Sequence, residues 1–446
     1  MAPVVKRILI AITLALAAAA ISGCLSVAAD DLYRLPQASD EYLRLQEQIN
    51  SVLNTGAEFS PPTGGPNRQA VQLKDLNGDG VDEVIAFFST LGDSTLKIYI
   101  FSMSDGDYTI AEVIEGFGAA FESVRFADMN DDGNMEIIVG WQMAAALKHV
   151  SIYSIKDFNS VLLAGRDYSD IATYDMQDNG GESVLVFRLP TQESGAVAEI
   201  LCLMPDGEIV SSETRLSNGI ETITRVLTGR LIDGVPAVFV ESEGRFDEGS
   251  IVTDICVYRN GDFANVSIRG PEGVSSDTVR TRINSSDVNR DGIIKVPMPL
   301  RLLAQSETIY YAIDWYAYNS SGHSALALTT YHNYADEWFF ILPINWRGKI
   351  SVRREDTVSA ERTVIFSYAE REEGPYEDFL AIHKITGELR EERATQNGRK
   401  RLVSDGASVF AFEMLGGRTS FRTSLDEALI RDNFGLIHSD WLSVNN

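Results

Sequence analysis

The chain opens with an apolar run that is bounded on both sides. Lys6 and Arg7 precede an apolar stretch from Ile8 to Ile21, which closes on Ile21-Ser22-Gly23-Cys24. That run is shorter than the roughly 20 residues a spanning helix requires, so it predicts a secretion signal over residues 1–23. Residues 24–38 have no periodicity and read as a tether. In "SDEYLRLQEQINSVLNTG" the positions Tyr42, Leu45, Ile49, Val52 and Leu53 share one helical face, with Ser39 as N-cap and Gly56 as the stop. This predicts an amphipathic helix within residues 39–64 that packs by its stripe. "SPPTGGPNRQ" then breaks the chain.

From residue 70 the apolar positions follow strand periods, and one pattern returns. "VQLKDLNGDGVDEVIAFF", "VRFADMNDDGNMEIIVGW" and "IATYDMQDNGGESVLVFR" place Asp75, Asp128 and Asp175 at the same point. A fourth copy, "TRINSSDVNRDGIIKVPM", has Asp287 there, and a worn copy surrounds Asp233. Between the copies lie hairpin signals, "KIYIFSMSDGDYTIAEV", "AEILCLMPDGEIVSS" and "DICVYRNGDFANVSI", whose Asp-Gly or Asn-Gly pairs favour tight turns. "WFFILPINWRGKISVRR" and "LAIHKITGELREER" read as further hairpins. Strand, acidic loop, strand and hairpin make a four-stranded unit of about 50 to 55 residues. The fold class expected is all-β, a β-propeller of about seven four-stranded blades over residues 65–446, with six or eight as alternatives and a solenoid as the competing architecture. Ser424 and Glu427 stand at capping-box spacing before a last helix, and a final strand is expected to close the ring on the first blade.

Charge changes the choice of partner. Lys plus Arg number 38 against 64 Asp plus Glu, a net of −26, and loss of the signal removes Lys6 and Arg7 as well. Such a field repels polyphosphate, so nucleic acid is not an expected partner. Membrane attachment must then come from lipid rather than charge. Cys202 and Cys256 occupy matching places in successive units and read as two buried thiols, with a disulfide between them the lesser alternative.

The repeated loops supply the clearest chemistry. Asp75, Asn77 and Asp79 stand at positions 1, 3 and 5, Gly80 at 6, the Val81 carbonyl at 7 and Glu83 at 9. Hard oxygen donors so spaced suit Ca²⁺ better than the tight octahedron of Mg²⁺. An EF-hand is excluded, because position 12 is Ala86 in loop 75–83 and Val139 in loop 128–136, each inside a strand-like run. The loops instead resemble the FG-GAP or VCBS propeller repeat, in which an Asp-x-Asx-x-Asp-Gly loop closes with an acid at position 9. By that resemblance the second loop offers Asp128, Asn130, Asp132, the Asn134 carbonyl and Glu136. Loop 175–183 departs from it with Gln177, Asn179 and Ser183. Loop 287–295 keeps Asp287, Asn289 and Asp291 as a weaker metal set but has Lys295 at position 9, whose ammonium would fill the cation's place. The alternative for every loop is an Asx turn that binds nothing. Ile21 to Cys24 likewise resemble the lipobox of bacterial lipoproteins, which implies cleavage before Cys24 and lipid on its sulfur.

No histidine spacing marks a catalytic metal site, and "GHSAL" lacks the second glycine of a nucleophile elbow. The aromatic segment from Ile309 to Trp346 reads first as packing between blades, with Trp315, Tyr318 and Tyr334 as the candidates for a ligand surface. The reading is a monomeric lipoprotein on the extracytoplasmic face of a bacterial cell membrane. Its calcium-stapled propeller is a non-enzymatic platform for an extracellular protein or glycan. A polysaccharide lyase or glycosidase, and an envelope-assembly scaffold, are the rival readings.

Overall fold

The computed structural model describes residues 40–437 apart from 91–94, 105, 247–248, 282, 357 and 417–424. The expected signal, Cys24, the tether and the Ser39 cap lie outside the described residues, as does Ser424. Among the described residues no helix is long and apolar enough to cross a membrane. The fold is all-β and propeller-like in its pattern, with a short helix near the N-terminus. Successive stretches of chain fold into six antiparallel sheets of four or five strands. The chain divides into two compact units.

In the first unit, the helix Asp40–Leu53 buries Ile49 and Val52 against Val84, Ala86, Phe88 and Phe101. The predicted stripe is shorter at its start, because Tyr42 is exposed. Glu83–Thr90 is the sheet's most buried strand and pairs with Leu96–Ser104, which pairs in turn with Asp107–Glu115. Its other edge is shared by Ala57–Phe59 and Val71–Lys74. The first sheet therefore begins before residue 65. Ala57–Phe59 is only 3 residues long, too short to show a strand period in sequence. Phe59 stacks on Phe88 at 4.9 Å.

The second unit holds five sheets. Three are four-strand meanders: Ala120–Ala127 through Asn159–Tyr168, Asp170–Tyr174 through Ile209–Arg215, and Ile220–Arg230 through Asp262–Asn265, the last extended by Arg280–Thr281. The next runs from Lys295–Arg301 to Trp338–Leu342 and gains Phe434–Leu436. The sixth runs from Ile350–Glu355 to Glu377–Thr386, then Ser408–Met414, with Lys400–Ser404 at its edge. Residues 61–69 lie along the second sheet: the Thr63 and Gly64 N–H groups donate to the Phe121 and Glu122 carbonyls at 3.0 and 2.7 Å.

Several expectations change here. The described residues give six sheets, one of the alternatives to seven, because the fourth and the sixth take up longer stretches, 220–281 and 350–414, than the period allows. "WFFILPINWRGKISVRR" is no hairpin, since a 3₁₀ turn at Ile344–Trp346 carries the chain from the fifth sheet to the sixth. In "LAIHKITGELREER" the strand ends at Thr386 and a helical turn, Arg390–Arg393, follows. The last helix, Glu427–Asn433, is capped by Asp426, whose carboxylate accepts the Leu429 N–H at 2.7 Å. The strand after it pairs with Trp338–Leu342, not with the first sheet. Cys202 and Cys256 are buried and unpaired within one core shared by the third and fourth sheets.

Candidate metal centre

Each acidic loop leads into a strand that begins at its ninth residue, Glu83, Glu136, Ser183 or Lys295. All four loops are built alike. The residue at position 2, Leu76, Met129, Met176 or Val288, is buried as an apolar anchor. Positions 4 and 6 adopt left-handed backbone: φ is 72°, 58°, 57° and 58° at Gly78, Asp131, Asp178 and Arg290, and 86°, 87°, 93° and 82° at the glycines Gly80, Gly133, Gly180 and Gly292. Gly, Asn and Asp tolerate that region best, and Arg290 is the departure.

The first aspartate organises each turn. Its Oδ2 accepts the position-6 glycine N–H at 2.9, 2.8, 2.9 and 2.8 Å for Asp75, Asp128, Asp175 and Asp287. Its Oδ1 takes a second backbone N–H, from Gly78, Asp132, Asn179 or Asp291, at 2.8 to 3.2 Å. Asp175 Oδ1 also accepts the Gln177 N–H at 3.2 Å, so that both of its lone pairs are taken. In loops 75–83, 128–136 and 287–295 the position-3 amide donates to the position-5 aspartate: Asn77 to Asp79 at 3.1 Å, Asn130 to Asp132 at 3.2 Å, Asn289 to Asp291 at 3.0 Å.

The ninth residue distinguishes the loops. All four are buried. In loop 287–295 the Lys295 ammonium donates to Asn289 Oδ1 at 2.6 Å, Asp291 Oδ1 at 2.6 Å and the Ile293 carbonyl at 3.0 Å, with Asp287 Oδ1 at 3.7 Å. Those are the oxygens of positions 3, 5, 7 and 1. In loop 128–136 the same place faces Glu136, and Asn130 Oδ1, the counterpart of the Asn289 oxygen, is buried with no hydrogen-bond partner. Glu136 Oε2 accepts the Met129 N–H at 3.0 Å. Burial, reinforced by the Asp132 and Asp128 charges, raises its carboxyl to about 7. In loop 175–183 the Ser183 hydroxyl meets the Cys202 thiol at 3.4 Å and no acid closes the turn. In the first unit Glu83 meets Ser102 Oγ at 3.4 Å. Among the described residues no three His, Cys, Asp or Glu side chains form a metal-binding group by themselves. The donor set relies equally on Asn amide and backbone carbonyl oxygens, which calcium accepts.

Neighbouring loops touch in series. The Met135 N–H donates to the Leu76 carbonyl and the Glu182 N–H to the Asp128 carbonyl, both at 2.8 Å. Residues 75–139 match the family model of an FG-GAP-like repeat. The match starts on the first aspartate of one loop and ends in the strand after the next, so it covers this paired arrangement. No curated protein matches the chain. The FG-GAP-like character is the one the loop spacing implied, and it is shown for those residues.

The aromatic candidates separate. Trp315 is core, packed with Val288 and Ile313 and donating through Nε1 to Thr330 Oγ1 at 2.7 Å. Tyr318 is buried with Phe239 and Val296. Neither belongs to a ligand surface, because both faces of the strand Tyr311–Tyr318 are covered. Tyr334 is 46% exposed, its hydroxyl 3.2 Å from His332 Nδ1. Burial lowers His332 to about 3 and His383 to about 4. The position-2 anchors are the feature that spacing of acids alone does not reveal; their signal is an apolar residue directly after each first aspartate.

Proposed function

We propose that the FG-GAP-like loops 75–83 and 128–136 each hold a calcium ion and that the sheets they brace form a non-enzymatic binding scaffold for an extracellular protein or glycan. Lipid on Cys24 would hold that scaffold at the outer face of a bacterial membrane. The scaffold part rests on the FG-GAP-like match and the all-β sheets. The anchor rests on the sequence Ile21 to Cys24.

The observation that carries the calcium reading is the buried Asn130 Oδ1 without a partner, at the place where its counterpart Asn289 Oδ1 accepts a buried ammonium. The Asp132 and Asp128 charges act on Glu136 and help to raise its carboxyl, a repulsion that a bound cation would relieve. Asp128, Asn130, Asp132, the Asn134 carbonyl and Glu136 would hold the ion, which supplies positive charge and an oxygen-coordinating centre. Asp75, Asn77, Asp79, the Val81 carbonyl and Glu83 repeat that donor set in sequence. A site filled at 10 to 100 times its dissociation constant adds about 1.4–2.7 kcal/mol of stability.

Thermal unfolding with calcium and with chelator tests this, and melting at one temperature in both would sink it. The ligand is tested by glycan arrays and by recovery of partners from native membranes on the calcium-loaded chain. Turnover of a polysaccharide would favour the enzyme reading instead.

A further inference from the structure

We propose that Lys295 is the resident cation of loop 287–295, so that this loop is metal-independent, and that the residue at position 9 decides which cation each loop takes. This goes beyond the calcium reading of loops 75–83 and 128–136 and can survive its failure.

The ammonium has three protons, and the structure gives it three acceptors: Asn289 Oδ1, Asp291 Oδ1 and the Ile293 carbonyl, at 2.6, 2.6 and 3.0 Å. The side chain is only 2% exposed, so these bonds replace its water. An ammonium in such surroundings is tolerated only when paired and fully hydrogen-bonded, and both conditions are met. Asp287 stands 3.7 Å away and adds charge without a direct bond. The carboxylates Asp287 and Asp291 therefore face one positive charge that is covalently fixed.

Loop 128–136 has the same backbone turns and the same Asn-to-Asp bond. It differs where Lys295 is replaced by Glu136. That exchange removes the fixed ammonium and gives the loop a third carboxylate at position 9. In loop 175–183, Asp175 is the only acid at positions 1, 3, 5 and 9, and Ser183 at position 9 turns to the Cys202 thiol. Charge at the cage thus tracks position 9: a divalent ion suits the glutamate loops, while a lysine excludes it by occupying its place.

The test is calcium equilibrium dialysis of the full chain and its Lys295→Glu variant, with melting temperatures in chelator and in calcium. Lys295→Glu is expected to bind one more calcium ion than the wild type and to recover with calcium the melting temperature it loses in chelator. Lys295→Met is expected to melt about 5–10 °C lower than wild type in chelator, with no recovery in calcium at its own loop. An unchanged ion count in Lys295→Glu overturns the assignment, as does a Lys295→Met protein that melts like wild type. If Lys295→Glu folds only when calcium is present, that supports the assignment. If it does not fold at all, Lys295→Gln, which supplies an oxygen without charge, is measured, and the wild-type ion count in that variant overturns it. A wild type that binds no calcium beside a Lys295→Glu chain that binds one defeats the reading of loops 75–83 and 128–136 and leaves Lys295 as assigned. Equal non-zero counts do the reverse.

Discussion

Gly78 lies against Gly133: a methyl group on Gly78 would sit 2.6 Å from the Gly133 carbonyl oxygen. Gly78 also has φ of 72°. Gly80 is left-handed too, yet nothing lies within 4 Å of the place its Cβ would take. Gly78→Ala is therefore expected to cost about 2–4 kcal/mol, strain plus displaced backbone, and Gly80→Ala about 1–2 kcal/mol from strain alone. Urea unfolding of both variants checks the order, and equal costs would show that the contact between the two loops does not matter.

The buried pair in the fourth sheet gives a second expectation. Arg280 Nη2 meets Glu241 Oε1 at 2.7 Å with neither side chain exposed, and the guanidinium also donates to Thr253 Oγ1 at 2.8 Å and the Ile283 carbonyl at 2.9 Å. Glu241→Ala leaves that cation uncompensated and should cost about 3–5 kcal/mol. Glu241→Ala combined with Arg280→Met should cost less than Glu241→Ala alone. Denaturant unfolding of the single and double variants checks this.

Aromatic burial separates residues that looked equivalent. Trp315→Ala empties a core position and should cost about 3–5 kcal/mol. Tyr334→Ala, at an exposed residue, should stay within about 1 kcal/mol. Melting curves of the two variants decide whether Trp315 is core.

Acid should release the third sheet. Burial would raise the Glu199 carboxyl, but Arg188 Nη1 at 2.6 Å and Arg166 Nε at 2.9 Å hold it below the usual glutamate value. A carboxyl whose folded pKa is depressed contributes stability that is present above its unfolded value of about 4.5 and lost as pH falls through the folded pKa. The wild type should therefore lose stability below about pH 4.5, and Glu199→Gln should be less stable than wild type at neutral pH and lose less on acidification. A stability difference that stays constant with pH would contradict this.

These contrasts show what a linear reading can reach. The loops were legible because their chemistry is local: nine consecutive residues carry the turn glycines, the donors and the closing side chain, so Lys295 beside Asp291 follows from spacing. The hairpins at Asp206-Gly207 and Asn260-Gly261 were legible for the same reason. Which of Trp315, Tyr318 and Tyr334 is exposed was not, because alternation cannot choose a face on a strand covered on both sides. Nor was the partner of the final strand: Phe434–Leu436 pairs with Trp338–Leu342 across a long separation. The buried Asp254 network was equally hidden, since it gathers Ser217, Asn265 and Ser275 from separate stretches of the chain.

The most direct test of the calcium claim is titration calorimetry of the full chain against calcium, beside Glu136→Gln. The wild type is expected to take up two ions, and Glu136→Gln to lose or greatly weaken one while still folding around the other loops. A wild type that gives no binding heat and no calcium-dependent shift in melting, or a Glu136→Gln chain that binds as the wild type does, would contradict it.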